Sequence, residues 1–214
     1  MRRWITLCTL LTVFACGIFL VPEGRAKTLN EDEQLIWVGA GAFKDGLYDI
    51  AEKQFANFIT NYPKHPRIFD IYYLLGRTLV IKGRLREAKV FFSRIINEAK
   101  HFENMDDTLL GMAELEVRLG NREEAIRVLQ SLIRRYAKFD QLDRSYYLLG
   151  LLEIESNQFA AAESTLKKAS QYSKAVQLMQ SSLFWLGLVS FKQKQYETAV
   201  GYFQTLWETP KSLP

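Results

Sequence analysis

Tyr72-Tyr73-Leu74-Leu75-Gly76 and Tyr146-Tyr147-Leu148-Leu149-Gly150 are one five-residue string written twice, 74 residues apart. Half that interval recovers copies between and around them. Ala51, Ala88, Ala125, Ala162 and Ala199 are spaced by 37 residues, and so are Gly39, Gly76, Ala113, Gly150 and Gly187. Two small-residue ladders in phase over five copies mean one supersecondary unit stacked five times. Self-similarity at this period marks a helical solenoid rather than a globular enzyme core.

Each unit reads as two helices. In the first copy Leu35, Val38, Gly39 and Ala42 fall at helical spacing and Phe43 closes the stripe. Gly46 stands where a left-handed helix stop is needed, a conformation glycine adopts without a Cβ penalty. Ala51, Phe55 and Phe58 form a second apolar stripe at i, i+4, i+7, and Pro63 forbids its continuation. Gly39 is expected to face Ala51 where the two helices cross, with Phe55 filling the remaining gap. Asn30 with Glu33 three residues later has the form of a capping box. The later copies keep the pattern, as in Leu75, Gly76, Ala88 and Phe92, or Leu186, Gly187, Ala199 and Phe203.

Aromatic-x-x-Leu-Gly, then Gly-x-Tyr, then Ala-x-x-x-Phe, then Pro resembles the tetratricopeptide repeat, whose usual period is about 34 residues. The resemblance covers about residues 31–209. It implies an all-α, right-handed α-solenoid of five two-helix units with a 37-residue period, in a domain spanning 27–214. The units are expected near 32–68, 69–105, 106–142, 143–179 and 180–211. A narrower likeness rests on Phe55, Phe58, Tyr62-Pro63 and the 72–76 string. These are similar to secreted bacterial tetratricopeptide proteins of the cell envelope, such as the Tol–Pal-associated cell-division coordinator and the lipoprotein of the outer-membrane β-barrel assembly machine. Units three and four depart from that pattern in lacking the Tyr-Pro end; Tyr136, for example, precedes Ala137 rather than Pro.

The first 26 residues are set apart. Arg2 and Arg3 lead into an apolar run from Trp4 to Val21, and Gly24 and Ala26 fit a small-residue cleavage site, so 1–26 reads as a secretory signal. Two alternatives stay open: lipidation at Cys16, after the degenerate box Val13-Phe14-Ala15, and retention as an anchor, for which 18 apolar residues are at the short limit. Each places the repeats outside the cytoplasm, in the periplasm or an equivalent space, with membrane association only if the leader stays or Cys16 is lipidated. Cys8 and Cys16 both lie in this leader, so the repeats are expected to rely on packing without disulfides. Net charge is +4 overall and falls to +2 from Lys27 onward. No dense Lys/Arg block calls for nucleic acid.

The sequence offers no catalytic constellation and no cofactor motif. His65 and His101, without cysteine partners in the repeats, do not make a metal site and read as solvated loop residues. Asp106-Asp107 and Glu123-Glu124 fall at helix starts, where carboxylates complement the helix dipole. Chemistry gives way to binding, and the function expected is a non-enzymatic scaffold for protein partners of the cell envelope.

Binding residues are sought on the first helix of each unit, which lines the concave wall of such a solenoid. One stripe runs Ile36-Ala40-Phe43, Tyr73-Arg77-Val80, Leu110-Glu114-Val117, Tyr147-Leu151-Ile154 and Phe184-Leu188-Phe191. The third member of each is expected in the inter-unit core. Ile36, Tyr73, Arg77, Tyr147, Leu151, Phe184 and Leu188 are the candidates for a partner-binding wall. Arg77 and Glu114 make its early half polar, whereas Leu151 and Leu188 make its late half drier and suited to an amphipathic helix or apolar peptide. Ile36 and Ala40 stand where chaperone-binding tetratricopeptide domains place polar carboxylate-clamp residues, so no such clamp is expected. The chain stops soon after its last helix, and Tyr202, Leu206 and Trp207 are the candidates for an end interface, with pairing of two copies as the alternative function.

Overall fold

The computed structural model describes residues 30–209, and all ten elements there are α-helices. In order these are α1 (Glu31–Lys44), α2 (Tyr48–Asn61), α3 (Ile68–Ile81), α4 (Leu85–Glu98), α5 (Met105–Arg118), α6 (Arg122–Arg135), α7 (Leu142–Glu155), α8 (Phe159–Tyr172), α9 (Val176–Lys192) and α10 (Tyr196–Glu208). The second helices begin at Tyr48, Leu85, Arg122, Phe159 and Tyr196, one every 37 residues. Each helix packs on its neighbours in sequence, and α1 on α3, α3 on α5 and α7 on α9 pack in addition. This is an all-α repeat solenoid. The leader, with Cys8 and Cys16, lies outside the described residues.

The turn inside each unit is built locally. Gly46, Gly83 and Gly120 take positive φ of 77°, 77° and 79°. At the same register units four and five carry Asn157 (φ 56°) and Lys194 (φ 62°). The amide one residue further on reaches back five residues to a helix carbonyl: Leu47 to Ala42 (2.8 Å), Arg84 to Leu79 (2.9 Å), Asn121 to Glu116 (2.9 Å), Gln158 to Glu153 (2.8 Å) and Gln195 to Ser190 (2.9 Å). This bond closes a Schellman stop and satisfies carbonyls that the helix end leaves orphaned.

The close approach of paired helices differs from the sequence expectation. A Cβ on Gly39 would fall 2.6 Å from Phe55 Cε1, so the glycine admits the Phe55 ring rather than abutting Ala51. Gly76 does the same for Phe92 (2.6 Å), Gly150 for Leu166 (2.7 Å) and Gly187 for Phe203 (2.5 Å). The alanine ladder is buried in every unit. Together the two ladders let a large side chain occupy the crossing point, a Phe ring in units one, two and five and Leu166 in unit four.

Three other expectations are corrected. The Asn30 side chain forms no cap; the Glu33 amide donates instead to Asp32 Oδ1 at 2.9 Å. His65 is not a solvated loop residue: its Nε2 lies 3.3 Å from Asp32 Oδ2 and its ring meets Phe58 edge-on at 5.0 Å. Unit five starts early, at Val176, because only residues 173–175 separate α8 from α9. There the Ala175 amide donates to Ser173 Oγ at 3.2 Å and closes a tight turn.

Junctions between units use charge as well as apolar burial. Lys82 bonds Asp49 and Glu52 (2.6 Å to Glu52), Arg84 also reaches Glu52, and Lys89 Nζ meets the buried Glu116 carboxylate at 2.6 Å. The core runs as one cluster from Ile36 to Leu152, and a second around Ala162, Leu166, Leu183, Leu186 and Val189 serves the last two units.

Candidate functional site

The first helices α1, α3, α5, α7 and α9 place the predicted stripe along one wall, with different exposure at each step. Ile36 is 6% exposed and belongs to the core, so unit one offers no anchor there; this corrects its assignment to the binding wall. Tyr73 is half-buried, 6.4 Å from the Phe92 ring and 6.2 Å from the Phe102 ring, and burial pushes its phenol pKa up. Arg77 is exposed, and its guanidinium lies 5.2 Å from the Phe43 ring centre and 5.7 Å from that of Tyr73. Such stacking holds the planar cation in place.

Beside Arg77 opens a cleft of about 350 Å³, walled by Tyr73, Arg77, Asp107, Glu114, Gln141 and Arg144 and floored by Leu110 and Gly111. Gln141 Nε2–H donates to Asp107 Oδ1 at 2.8 Å, and Arg144 meets Glu114 Oε1 at 2.7 Å. Burial, with the nearby Asp106 charge, raises the Asp107 pKa above the ordinary aspartate value against the opposing pull of Arg77 and the Gln141 amide. The cleft therefore presents fixed charges of both signs on an apolar floor. That set can pair with both the backbone and the side chains of a peptide segment.

The late half is built differently. Tyr147, Leu151 and Leu188 are half-buried and Phe184 is 44% exposed. Trp185 Nε1–H donates to the Tyr147 hydroxyl at 3.2 Å across α7 and α9, while the Phe184 ring stands edge-on to Trp185 at 5.7 Å. The cleft described above lies in units two to four rather than in this apolar half, because Asp107, Gln141 and Arg144 supply walls there. Phe43, Val80, Val117 and Ile154 are half-buried as expected of inter-unit positions, but Phe191 is 58% exposed, since no further unit packs on it among the described residues.

The structure thus joins Tyr73 and Arg77 in one site and keeps Tyr147, Leu151, Phe184 and Leu188 along the same wall further on. The residues missed from sequence are Asp107, Gln141, Arg144 and Trp185. Asp107 and Arg144 lie one helical turn before the stripe, at i−3 from Leu110 and Tyr147, so extending the stripe by a turn finds them. At the chain's end Tyr202 and Leu206 pack against the second core cluster, whereas Trp207 is 82% exposed. Among the described residues no group of three His, Cys, Asp or Glu side chains could hold a metal ion, and no helix is long and apolar enough to cross a membrane.

Three family models, each described as a tetratricopeptide repeat, match residues 69–101, 107–138 and 147–210. The chain is a tetratricopeptide repeat protein. Those matches begin at unit two, and the α1–α2 pair with its Gly39–Phe55 seat gives unit one the same build. Tetratricopeptide repeats form scaffolds for protein–protein interaction and are typically non-catalytic.

Solved structures of the same fold include residues 41 to the end of MamA from Desulfovibrio magneticus RS-1 (TM-score 0.70, 16% identity, covering 85% of this chain and 96% of that one). Another is a tetratricopeptide repeat protein from Parabacteroides merdae ATCC 43184 (TM-score 0.68, 21% identity, 82% and 65%). A third is YrrB, described as having an unusual peptide-binding site (TM-score 0.66, 13% identity, 83% and 86%). At these identities the likeness is one of fold. No curated protein matches the chain.

Proposed function

We propose that this tetratricopeptide protein is an exported, non-enzymatic scaffold that binds a protein partner of the cell envelope along its concave wall. The observation that carries the reading is the Tyr73–Arg77–Asp107–Glu114–Gln141–Arg144 cleft, which continues into the Tyr147–Leu151–Phe184–Leu188 surface. A partner segment with charged groups at one end and an apolar face at the other matches that order of polar and apolar positions. The peptide-binding site in the name of YrrB, a protein of the same fold, supports a peptide-like occupant. The leader sequence supports export, and the Tyr62-Pro63 and 72–76 motifs support a role in envelope biogenesis.

Site-specific photo-crosslinking tests the site. A crosslinker at Phe184 or Leu188 should capture one partner that a crosslinker at Val90, exposed on α4, does not. Arg77→Glu with Arg144→Glu should reduce that capture at least tenfold while leaving helicity unchanged. Equal capture from Val90, or indifference to the charge reversals, overturns the site. Cell fractionation with intact-mass measurement tests export: an unprocessed chain in the cytoplasm overturns it. Cleavage after Ala26, lipid on Cys16 and a retained leader each give a distinct mass.

A further inference from the structure

We propose that copies of this chain associate head to tail, the α10 face of one copy receiving the α1 face of the next, so that the repeat stack continues from chain to chain. The internal junctions define which register positions meet. Trp185 on α9 meets Tyr147 of the preceding unit. Gly111, at the same register on α5, sits with its Cβ position 3.4 Å from the Phe92 ring of the preceding unit. Ile96 on α4 shares a groove with Leu109 and Met112 of the following α5. Glu52 meets Lys82 and Arg84, and Lys89 meets Glu116.

Carrying that register past the last unit pairs the two ends. Trp37 holds the position of Gly111 and Trp185 on a helix with no preceding unit among the described residues, and it is 71% exposed. Its counterparts at the tail are Phe184 and Phe203, which hold the positions of Tyr147 and Phe92. Trp207 takes the place of Ile59, Ile96 and Ile133, all packed half-buried at internal positions, yet it is 82% exposed. In the next copy it would meet Leu35 and Val38, the counterparts of Leu109 and Met112.

The junction chemistry changes in a matched way. Where Glu52 pairs with Arg84 inside the chain, the tail has Val200 and the head has Leu47, each 52% exposed, while Asp45 holds the head position of Lys82. Where Lys89 pairs with Glu116, the tail has Val200 again and the head has Ala42. At the Glu52–Arg84 and Lys89–Glu116 positions the charged member has been lost from both sides together, so no carboxylate or ammonium is left unpaired at either of them. One like-charge contact remains, Glu197 against Asp45, at the register where Asp49 meets Lys82. A contact of this kind uses different faces on its two sides, is heterologous, and extends as an open chain unless its rotation closes a ring.

The test uses multi-angle light scattering on the protein as its host processes it, with circular dichroism as the folding control. Both tryptophans are exposed, so Trp37→Glu and Trp207→Glu should keep native helicity. Wild type should rise in mass with concentration past the dimer. Each single variant should be monomeric, and an equimolar mixture of the two should double in mass and stop there, because one intact head meets one intact tail. Glu197→Lys should assemble at lower concentration than wild type by giving Asp45 a partner. A Trp37→Glu variant that dimerises by itself shows tail-to-tail pairing and overturns the proposal. Monomeric wild type and Glu197→Lys at all concentrations overturn it as well.

Discussion

The Phe92 ring stands where a side chain on Gly76 would begin: a Cβ there would lie 2.6 Å from Phe92 Cε1 and 2.9 Å from Cδ1. Both residues are buried, and the ring is 1% exposed, so neither can move aside into solvent. Gly76→Ala should therefore cost about 1–3 kcal/mol, the usual range for overpacking a filled core. Unit three carries the alternative solution at the same two positions, Ala113 with Leu129. The double variant Gly76→Ala, Phe92→Leu should accordingly lose less than the sum of its single variants. Chemical denaturation of the four proteins measures that coupling directly.

Two carboxylates at one register, Glu116 and Glu153, make a pH prediction. Glu116 has Lys89 at 2.6 Å and the Asn121 side-chain amide at 2.7 Å. Glu153 has Ile126 where Lys89 stands, its Oε2 is buried without a hydrogen-bond partner, and burial raises its pKa above the ordinary 4.5. The folded state thus holds this proton more tightly than the unfolded one. Stability from this group should fall as pH rises from the ordinary carboxyl value through the raised one, then level off. Glu153→Leu, which copies Leu79 of unit two, should remove that fall and raise stability at neutral pH by on the order of 1 kcal/mol. Thermal unfolding of both proteins across mildly acidic to neutral pH measures it.

Lys194 has φ of 62°, in a place where units one to three use glycine. Its side chain is exposed, so exchange for glycine loses no packing. Lys194→Gly should stabilise by about 0.5–1 kcal/mol by removing left-handed strain. Gly120→Ala, the reverse exchange at φ 79°, should destabilise by about 1 kcal/mol. Denaturant midpoints at unchanged slopes measure both changes in stability.

The binding wall was only partly legible in the sequence. Tyr73 and Arg77 could be placed because they share a helical stripe with their counterparts in other units. Asp107 reads in sequence as a dipole-complementing first-turn acid, and it is one. Its second role, holding Gln141 across a unit boundary, depends on where α7 lies relative to α5. Ile36 has the same stripe position as Tyr73, but the packing of α1 on its neighbours buries it.

By itself the sequence determined the all-α repeat, its five two-helix units and the glycine stop at Gly46, but not the left-handed turns at Asn157 and Lys194. The features it determined depend on local rules: helical spacing of apolar groups, a left-handed stop, and small residues at fixed intervals. Only the tertiary structure decided what the glycine ladder admits, which carboxylates find partners, and which members of a repeated stripe remain exposed. These outcomes depend on distances between helices far apart in the chain. A repeat period constrains such distances on average, but individual side chains such as Phe92, Lys89 and Trp207 settle them one unit at a time.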